Sequence, residues 1–187
     1  MYVSRETIII CDSWGSDSSM KDYKITIVRK NAEKKELTQE LYENIREIDR
    51  QEIECMGFST IQGVELSIRD TCPVYVARTA KEGKLIACWG LQVLDFHKMD
   101  DTHEYTYIIW ALGTDYLNHY AKSFVREASA IINRWVDLYG CLQNSVACFN
   151  KKSIRWLKWM GAEFSEPHRI GNTDYVDFKI KKRKESE

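Results

Sequence analysis

The spacing of apolar residues along the chain predicts an ordered series of strands and helices. Residues Tyr23 to Val28 alternate between apolar and polar positions, which is typical of a strand. A stripe of apolar residues at helical spacing then predicts one helix that ends at Gly57; its members are Leu37, Leu41, Ile45, Ile48 and Cys55. A shorter stripe through Val64 and Ile68 predicts a second helix, which Pro73 closes.

The second half of the chain continues the series. Strands are predicted over 74–78 and 85–93, joined by a hairpin turn at Ala80–Gly83, and a nearly continuous apolar run predicts a buried strand over 105–112. A wide apolar stripe predicts a long helix over roughly 120–139, which ends at Gly140. A strand, a short helix and a last strand follow over 145–149, 153–160 and 175–180. The order predicts a single α/β (α+β) domain in which helices flank a central mixed sheet of about six or seven strands.

The length of the chain and its end segments suggest how it is organised. At 187 residues one compact domain is expected. We divide the chain into a polar, serine-rich leader over 1–21, the domain over 22–180 and a charged tail over 181–187.

Composition excludes some classes of function. The formal net charge of -1 gives no overall basic field, so a nucleic-acid partner is not indicated, although a local basic patch is not excluded. The six cysteines form no CxxC pair and have no histidine at ligand spacing, so no metal site is predicted and buried thiols in a reducing compartment are the better interpretation. No apolar run approaches the roughly 20 residues of a membrane span, and a secretion signal is not evident, so we expect an intracellular protein with no membrane partner.

One C-terminal segment carries a family resemblance. The stretch from Asn150 to Phe164 resembles the C-terminal motif of the GNAT (N-acetyltransferase-like) superfamily, where an asparagine begins a short helix that ends at a glycine–aromatic corner. Here Ala162 and Glu163 separate Gly161 from Phe164. The resemblance implies the GNAT fold and a site for acetyl-CoA.

Two other stretches resemble a narrower group, the phage acetyltransferase-like proteins related to the internal virion protein of short-tailed coliphages. One is the run from Trp110 to His119, followed by Phe124 and Arg126. The other joins Ile45–Ile53 with Gly83–Gly90. This likeness implies a protein of the host cytoplasm or the virion, with a phage or host protein as partner.

The GNAT resemblance also implies where acetyl-CoA would bind. A splayed strand would hold the pantetheine arm, and free N–H groups at a helix N-terminus would hold the pyrophosphate. The positions that the resemblance assigns to the cofactor are Trp110, Ala111, Leu112, His119, Ala121 and Asn150. Asn150 is also predicted to cap the short helix.

Two departures from the family pattern weigh against catalysis. The phosphate loop normally reads Arg/Gln-x-x-Gly-x-Gly/Ala, but the equivalent positions here are Tyr116, His119 and Ala121, and only the alanine fits. The tyrosine that usually acts as the acid is replaced by Leu157, which cannot donate a proton. We therefore expect weak or absent acetyl-CoA binding and little or no catalysis. An active acetyl-CoA-dependent N-acetyltransferase that acts on a small amine or a host protein is the alternative.

Two further groups of residues carry hypotheses. Asp49 and Glu52 lie at i, i+3 beside Arg46, and they are either a catalytic base with its orienting partner or a solvated or intrahelical ion-pair face. Trp156 and Trp159 do not share one helical face, so at least one is expected in the core. If the other is exposed, it indicates a contact surface.

Overall fold

Within residues 22–97 and 103–182, the part that this computed structural model describes, the chain forms eight strands and five helices. In chain order the elements are β1 (Tyr23–Val28), α1 (Asn31–Asn44), α2 (Glu47–Cys55), α3 (Thr60–Arg69), β2 (Val74–Thr79), β3 (Leu85–His97), β4 (His103–Gly113), α4 (Leu117–Tyr139), β5 (Cys141–Ala147), α5 (Lys151–Trp159), β6 (Glu163–Phe164), β7 (His168–Ile170) and β8 (Thr173–Lys181). The predicted leader and the tail beyond residue 182 lie outside the described residues.

The eight strands form one mixed sheet in the order β1-β2-β3-β4-β5-β8-β6, and β7 pairs with β8 at the side of this path. Neighbouring strands are antiparallel except β4 and β5, which are parallel. The predicted mixed sheet is thus confirmed. Strands β6 and β7 were not predicted, because two and three residues are too few to show an alternating pattern.

The single helix predicted between Leu37 and Gly57 is wrong, because the chain breaks it into α1 and α2. Ile45 takes an extended conformation (φ -61°, ψ 136°) and forms a β-bridge with Thr114. The N–H of Arg46 donates to the carbonyl of Gly113 at 2.9 Å. The break is therefore made by pairing with the end of β4, a tertiary contact that helical periodicity does not reveal.

Side chains alternate along β4 between two apolar cores, one on each face of the sheet. Tyr107 stacks on Tyr139 of α4 at 4.4 Å between ring centroids, on the face that α4 and α5 cover. Trp110 points to the opposite face, which α1 and α3 cover, and its Nε1 donates to Thr71 Oγ1 at 2.7 Å. Phe124 and Trp135, predicted as core residues of the long helix, are 4% and 7% exposed, which confirms that prediction.

Candidate functional site

A cleft opens where β4 and β5 separate. The two strands pair at only two positions, Tyr107 with Leu142 and Ile108 with Gln143, and then diverge. The resulting cavity has a volume of about 300 Å³, near the lower end of the range for small-molecule sites. Side chains from α2 line it on one face of the sheet, and side chains from α4 and α5 line it on the other. The cleft therefore reaches both faces of the sheet.

Side chains of the protein bind backbone groups at two positions along the β4 edge of this cleft. Gly113 donates its N–H to Asp49 Oδ2 at 2.8 Å, and Ile109 accepts a hydrogen bond from Asn144 Nδ2, also at 2.8 Å. Because backbone direction alternates along a strand, Ala111 between them also faces the cleft. Among the described residues we find no partner for its N–H and C=O. One position on this edge thus keeps its backbone groups for a ligand.

Side chains also bind backbone N–H groups along the β5 edge of the cleft. The N–H of Ser145 donates to Asn144 Oδ1 at 2.8 Å, and the N–H of Ala147 donates to Glu52 Oε1 at 2.5 Å. Asn150 adds a bond from its Nδ2 to Glu52 Oε2 at 2.8 Å. The Glu52 side chain therefore joins α2 to the end of β5 and to the first residue before α5.

Asp49 and Glu52 are both in the cleft wall, but they have different surroundings. Asp49 is 3% exposed and accepts hydrogen bonds from Arg46 Nε and Nη2 at 2.9 and 2.6 Å. The intrahelical ion pair is therefore present, and it is buried rather than solvated. Burial raises the pKa of the Glu52 carboxyl above its ordinary value, while its hydrogen bonds from Ala147 and Asn150 act in the opposite direction.

At the start of α4, the N–H groups that could bind an anion already form hydrogen bonds within a tight turn. Leu117 donates to the carbonyl of Thr114 at 3.0 Å, Asn118 to that of Asp115 at 3.2 Å and His119 to that of Tyr116 at 3.0 Å. These three residues are the first three of the helix, whose N–H groups usually have no intrahelical partner. The first turn of α4 is thus largely satisfied by its own backbone.

The structure brings together most of the residues predicted from the sequence, both those from the resemblance and the pair from helical spacing. The predicted residues in the cleft wall are Asp49, Glu52, Trp110, Ala111, Leu112, Ala121 and Asn150. His119 is exposed and does not line the cleft, whereas its neighbours Leu117 and Asn118 do. Any obstruction of this end of the cleft therefore comes from Leu117 and from the closed turn, and not from the imidazole.

Asn150 and Leu157 have the positions that the motif predicts. Asn150 precedes α5, and its Oδ1 accepts a hydrogen bond from the N–H of Ser153 at 3.2 Å, which confirms the predicted cap. Leu157 is 5% exposed and contributes an apolar side chain to the cleft where the family has its acid. Among the described residues, no tyrosine lines the cleft.

Sequence reasoning missed two residues that shape the site. Asn144 bridges the two edges of the cleft at the point where the strands separate. The predicted strand began at residue 145, whereas the observed strand begins at Cys141, so the sequence did not place Asn144 in a strand. Gly113 was also missed; a Cβ there would lie 2.7 Å from Leu117 Cδ2 and 3.1 Å from Arg46 Nε, so a glycine allows these side chains to close over the end of β4.

The described residues offer neither a metal site nor a membrane-spanning helix. They contain no group of three or more histidine, cysteine, aspartate or glutamate side chains placed to hold a metal ion. They also contain no helix that is both long and apolar enough to cross a membrane. The five cysteines among them are free thiols.

Comparison with known proteins adds the fold family. No family model matches the sequence, and no curated protein matches it by sequence. Solved structures do match: an aminoglycoside N(6')acetyltransferase from Legionella pneumophila has 8% identity and a TM-score of 0.57, and covers 87% of this chain and 94% of its own. A GNAT-family acetyltransferase from Bacillus anthracis has 15% identity, a TM-score of 0.54 and coverages of 86% and 96%. The ribosomal-protein-S18-alanine N-acetyltransferase from Escherichia coli has 12% identity, a TM-score of 0.54 and coverages of 87% and 97%. At these identities the likeness shows the fold alone, and the chain has the GNAT fold.

Proposed function

We propose that this GNAT-fold chain binds acetyl-CoA weakly or not at all, performs little or no acetyl transfer, and acts through a protein partner in the virion or assembly module of a phage. The observation that carries the proposal is the state of the cleft: side chains bind the N–H groups of Gly113 and Ala147, and the first turn of α4 binds its own N–H groups, although Ala111 keeps its N–H and C=O free of partners among the described residues.

The energetic argument starts from the cost of opening the cleft. A pantetheine arm between β4 and β5 finds free backbone groups only at Ala111 among the described residues of the β4 edge, and a bond to the N–H of Gly113 or of Ala147 would require displacement of Asp49 or Glu52. Asp49 also accepts two hydrogen bonds from Arg46, so its displacement would disturb a buried ion pair, and removing one partner of such a pair costs about 3–5 kcal/mol. The amide groups of the arm can replace neutral hydrogen bonds, but they cannot replace the charge of a carboxylate. The residues present therefore do not fit acetyl-CoA well.

The second obstacle to acetyl-CoA binding concerns the diphosphate group of the cofactor. Anion sites at helix N-termini depend on N–H groups without an intrahelical partner. In α4 the N–H groups of Leu117, Asn118 and His119 already donate to carbonyls of the preceding turn. A bound diphosphate would have to unwind this turn, and we therefore expect the cofactor to lose much of its usual affinity.

The phage assignment rests on the resemblance of two segments. Trp110–His119 includes the end of β4 and the closed turn. Ile45–Ile53 includes the break between α1 and α2 and the Asp49 carboxylate, which is hydrogen-bonded to Gly113. Two of the segments that resemble the phage proteins thus meet at this end of the cleft. A protein partner in the host cytoplasm or the particle is the corresponding expectation.

An active N-acetyltransferase is the second candidate, and the position of Glu52 favours it. The carboxylate lies in the cleft wall, and burial raises its pKa, as expected of a base that accepts a proton near neutral pH. In this candidate Glu52 accepts the proton of the amine that enters from the α2 side of the cleft. This candidate lacks an evident proton donor, because Leu157 occupies the position where the family has its acid.

Release of free thiol from acetyl-CoA, measured over a panel of amines, distinguishes the two candidates. The proposal predicts no release above the rate without protein, both for the wild type and for Leu157→Tyr, which adds only the acid. Turnover by the wild type that falls by about 100-fold or more in Glu52→Gln would overturn the proposal and identify Glu52 as a base. Amines of small molecules and of peptides should both be included, because the alternative covers both.

A further inference from the structure

The solvent-facing side of α5 carries an unusual set of side chains. The helix sequence KKSIRWLKW contains four basic residues and no acidic residue. Its inner side packs on the core through Leu157, with Ile154, Trp156 and Met160 partly buried beside it. The exposed side chains are Lys151, Lys152, Arg155, Lys158 and Trp159, and we call them the α5 face.

The cations of the α5 face have no carboxylate partner within the described part of the chain. Lys152 Nζ donates to the side-chain oxygen of Asn118 at 3.2 Å, and Lys158 Nζ lies 5.9 Å from the centroid of the Phe164 ring. Lys151 and Arg155 form no side-chain hydrogen bond or salt bridge with the described residues. Elsewhere on the domain basic residues do pair with carboxylates, as Arg78 does with Glu40. The α5 face is therefore a local concentration of unneutralised positive charge.

The α5 face also carries an exposed aromatic side chain, Trp159. Its side chain is 62% exposed, the largest value among the exposed large apolar residues of the described chain. Trp156, three residues earlier, lines the cleft and packs on the core, so the two tryptophans have separate roles. The exposed indole lies on the same helix face as the four cations, so a ligand that contacts the cations can also contact the ring.

The composition of the face distinguishes between classes of partner. Protein–protein interfaces are depleted in lysine, whereas nucleic-acid interfaces are much more positively charged. A flat, exposed aromatic ring among cations is the arrangement that stacks an unpaired base while the cations contact phosphates. We propose that the α5 face binds single-stranded nucleic acid without sequence preference. The net charge of -1 describes the whole chain, and this face is a local exception to it.

Fluorescence anisotropy with a labelled 20-nucleotide oligo-dT tests the proposal on the full chain. We expect binding at 50 mM salt that weakens by about 20- to 50-fold at 200 mM, the dependence for three or four neutralised phosphates of a single strand. Trp159→Ala should weaken binding by about 5- to 100-fold through loss of stacking, and Trp159→Phe should restore part of it. The charge-reversal variant Lys151→Glu/Arg155→Glu/Lys158→Glu should abolish binding of the oligonucleotide.

A matched control variant distinguishes binding at the α5 face from a general effect of net charge. Lys24→Glu/Lys81→Glu/Lys84→Glu makes the same change in net charge at exposed positions on β1 and near the β2–β3 turn, and should keep the affinity within about twofold. Thermal unfolding of each variant checks that the fold is retained. The proposal is overturned by absence of binding at 50 mM salt, by equal weakening in the control triple variant, or by tighter binding of a duplex or of a poly-glutamate peptide than of oligo-dT.

Discussion

Replacement of Asp49 by alanine should destabilise the domain strongly, although the side chain is polar and short. The carboxylate accepts three hydrogen bonds, two from the guanidinium of Arg46 and one from the N–H of Gly113. In Asp49→Ala the guanidinium, whose side chain is 14% exposed, keeps its charge without a partner, and a buried N–H loses its acceptor.

The expected size follows from these two losses. Breaking a buried ion pair by removing one partner costs about 3–5 kcal/mol, and this figure includes the desolvated charge that remains. For a domain of this length such a loss lowers Tm by roughly 6–20 °C. The double variant Arg46→Ala/Asp49→Ala should lose less than the sum of the single losses, because no unpaired charge remains.

Urea denaturation followed by tryptophan fluorescence measures these losses. Glu47→Ala on the same helix is the control, because its side chain is 71% exposed, and it should cost less than about 1 kcal/mol. The slope of the transition should stay constant across the series. A loss below about 1 kcal/mol for Asp49→Ala at constant slope would show that the carboxylate does not hold α2 to β4, and it would remove the main support for the proposed state of the cleft.

Three further changes have defined outcomes. Phe124→Ala should cost about 3–5 kcal/mol, because the ring is 4% exposed and meets Trp89 edge to face at 5.1 Å; a loss below about 1 kcal/mol in urea denaturation would contradict its place in the core. Asn150→Ala should cost about 1–2 kcal/mol through the lost cap at Ser153 and the lost donor to Glu52, whereas the exposed control Lys151→Ala should stay within about 0.5 kcal/mol. Burial raises the pKa of Glu52 above its ordinary 4.5, so the folded state holds that proton more tightly than the unfolded state. The stability that Glu52 contributes is greatest below pH 4.5 and is lost as pH rises through the raised pKa. The stability of wild type relative to Glu52→Gln should therefore fall as pH rises above 4.5, and a constant or rising difference would contradict this.

The sequence predicted most of the fold because its main elements carry strong periodic patterns. The first strand was predicted with its observed bounds, Tyr23–Val28, and the long helix differs only at its start, where α4 begins at Leu117. The break between α1 and α2 could not be predicted, since neither proline nor glycine stands at Ile45–Arg46. Its cause is the bridge to Thr114, about 70 residues away in the chain.

The sequence predicted several of the residues that line the candidate site, but not how they are arranged. The motif placed Asn150 correctly before α5, because a capping asparagine acts locally. The separate roles of Asp49 and Glu52 depend on which strand end each carboxylate meets, Gly113 for one and Ala147 for the other. Helical spacing shows that the two carboxylates share a face, but it does not show what lies opposite them. The closed turn before α4 is likewise a backbone arrangement with no side-chain signature.

Titration of acetyl-CoA into the wild-type chain by isothermal calorimetry tests the central claim most directly. The claim is that the protein's own groups bind much of the cleft's backbone, apart from Ala111, through Asp49, Glu52 and Asn144 at the strand edges and through the first turn of α4. It predicts a Kd weaker than about 1 mM, the upper end of the usual range of KM values for enzyme substrates. A Kd in the micromolar range would contradict it, because it would show that the cofactor displaces these groups at little cost.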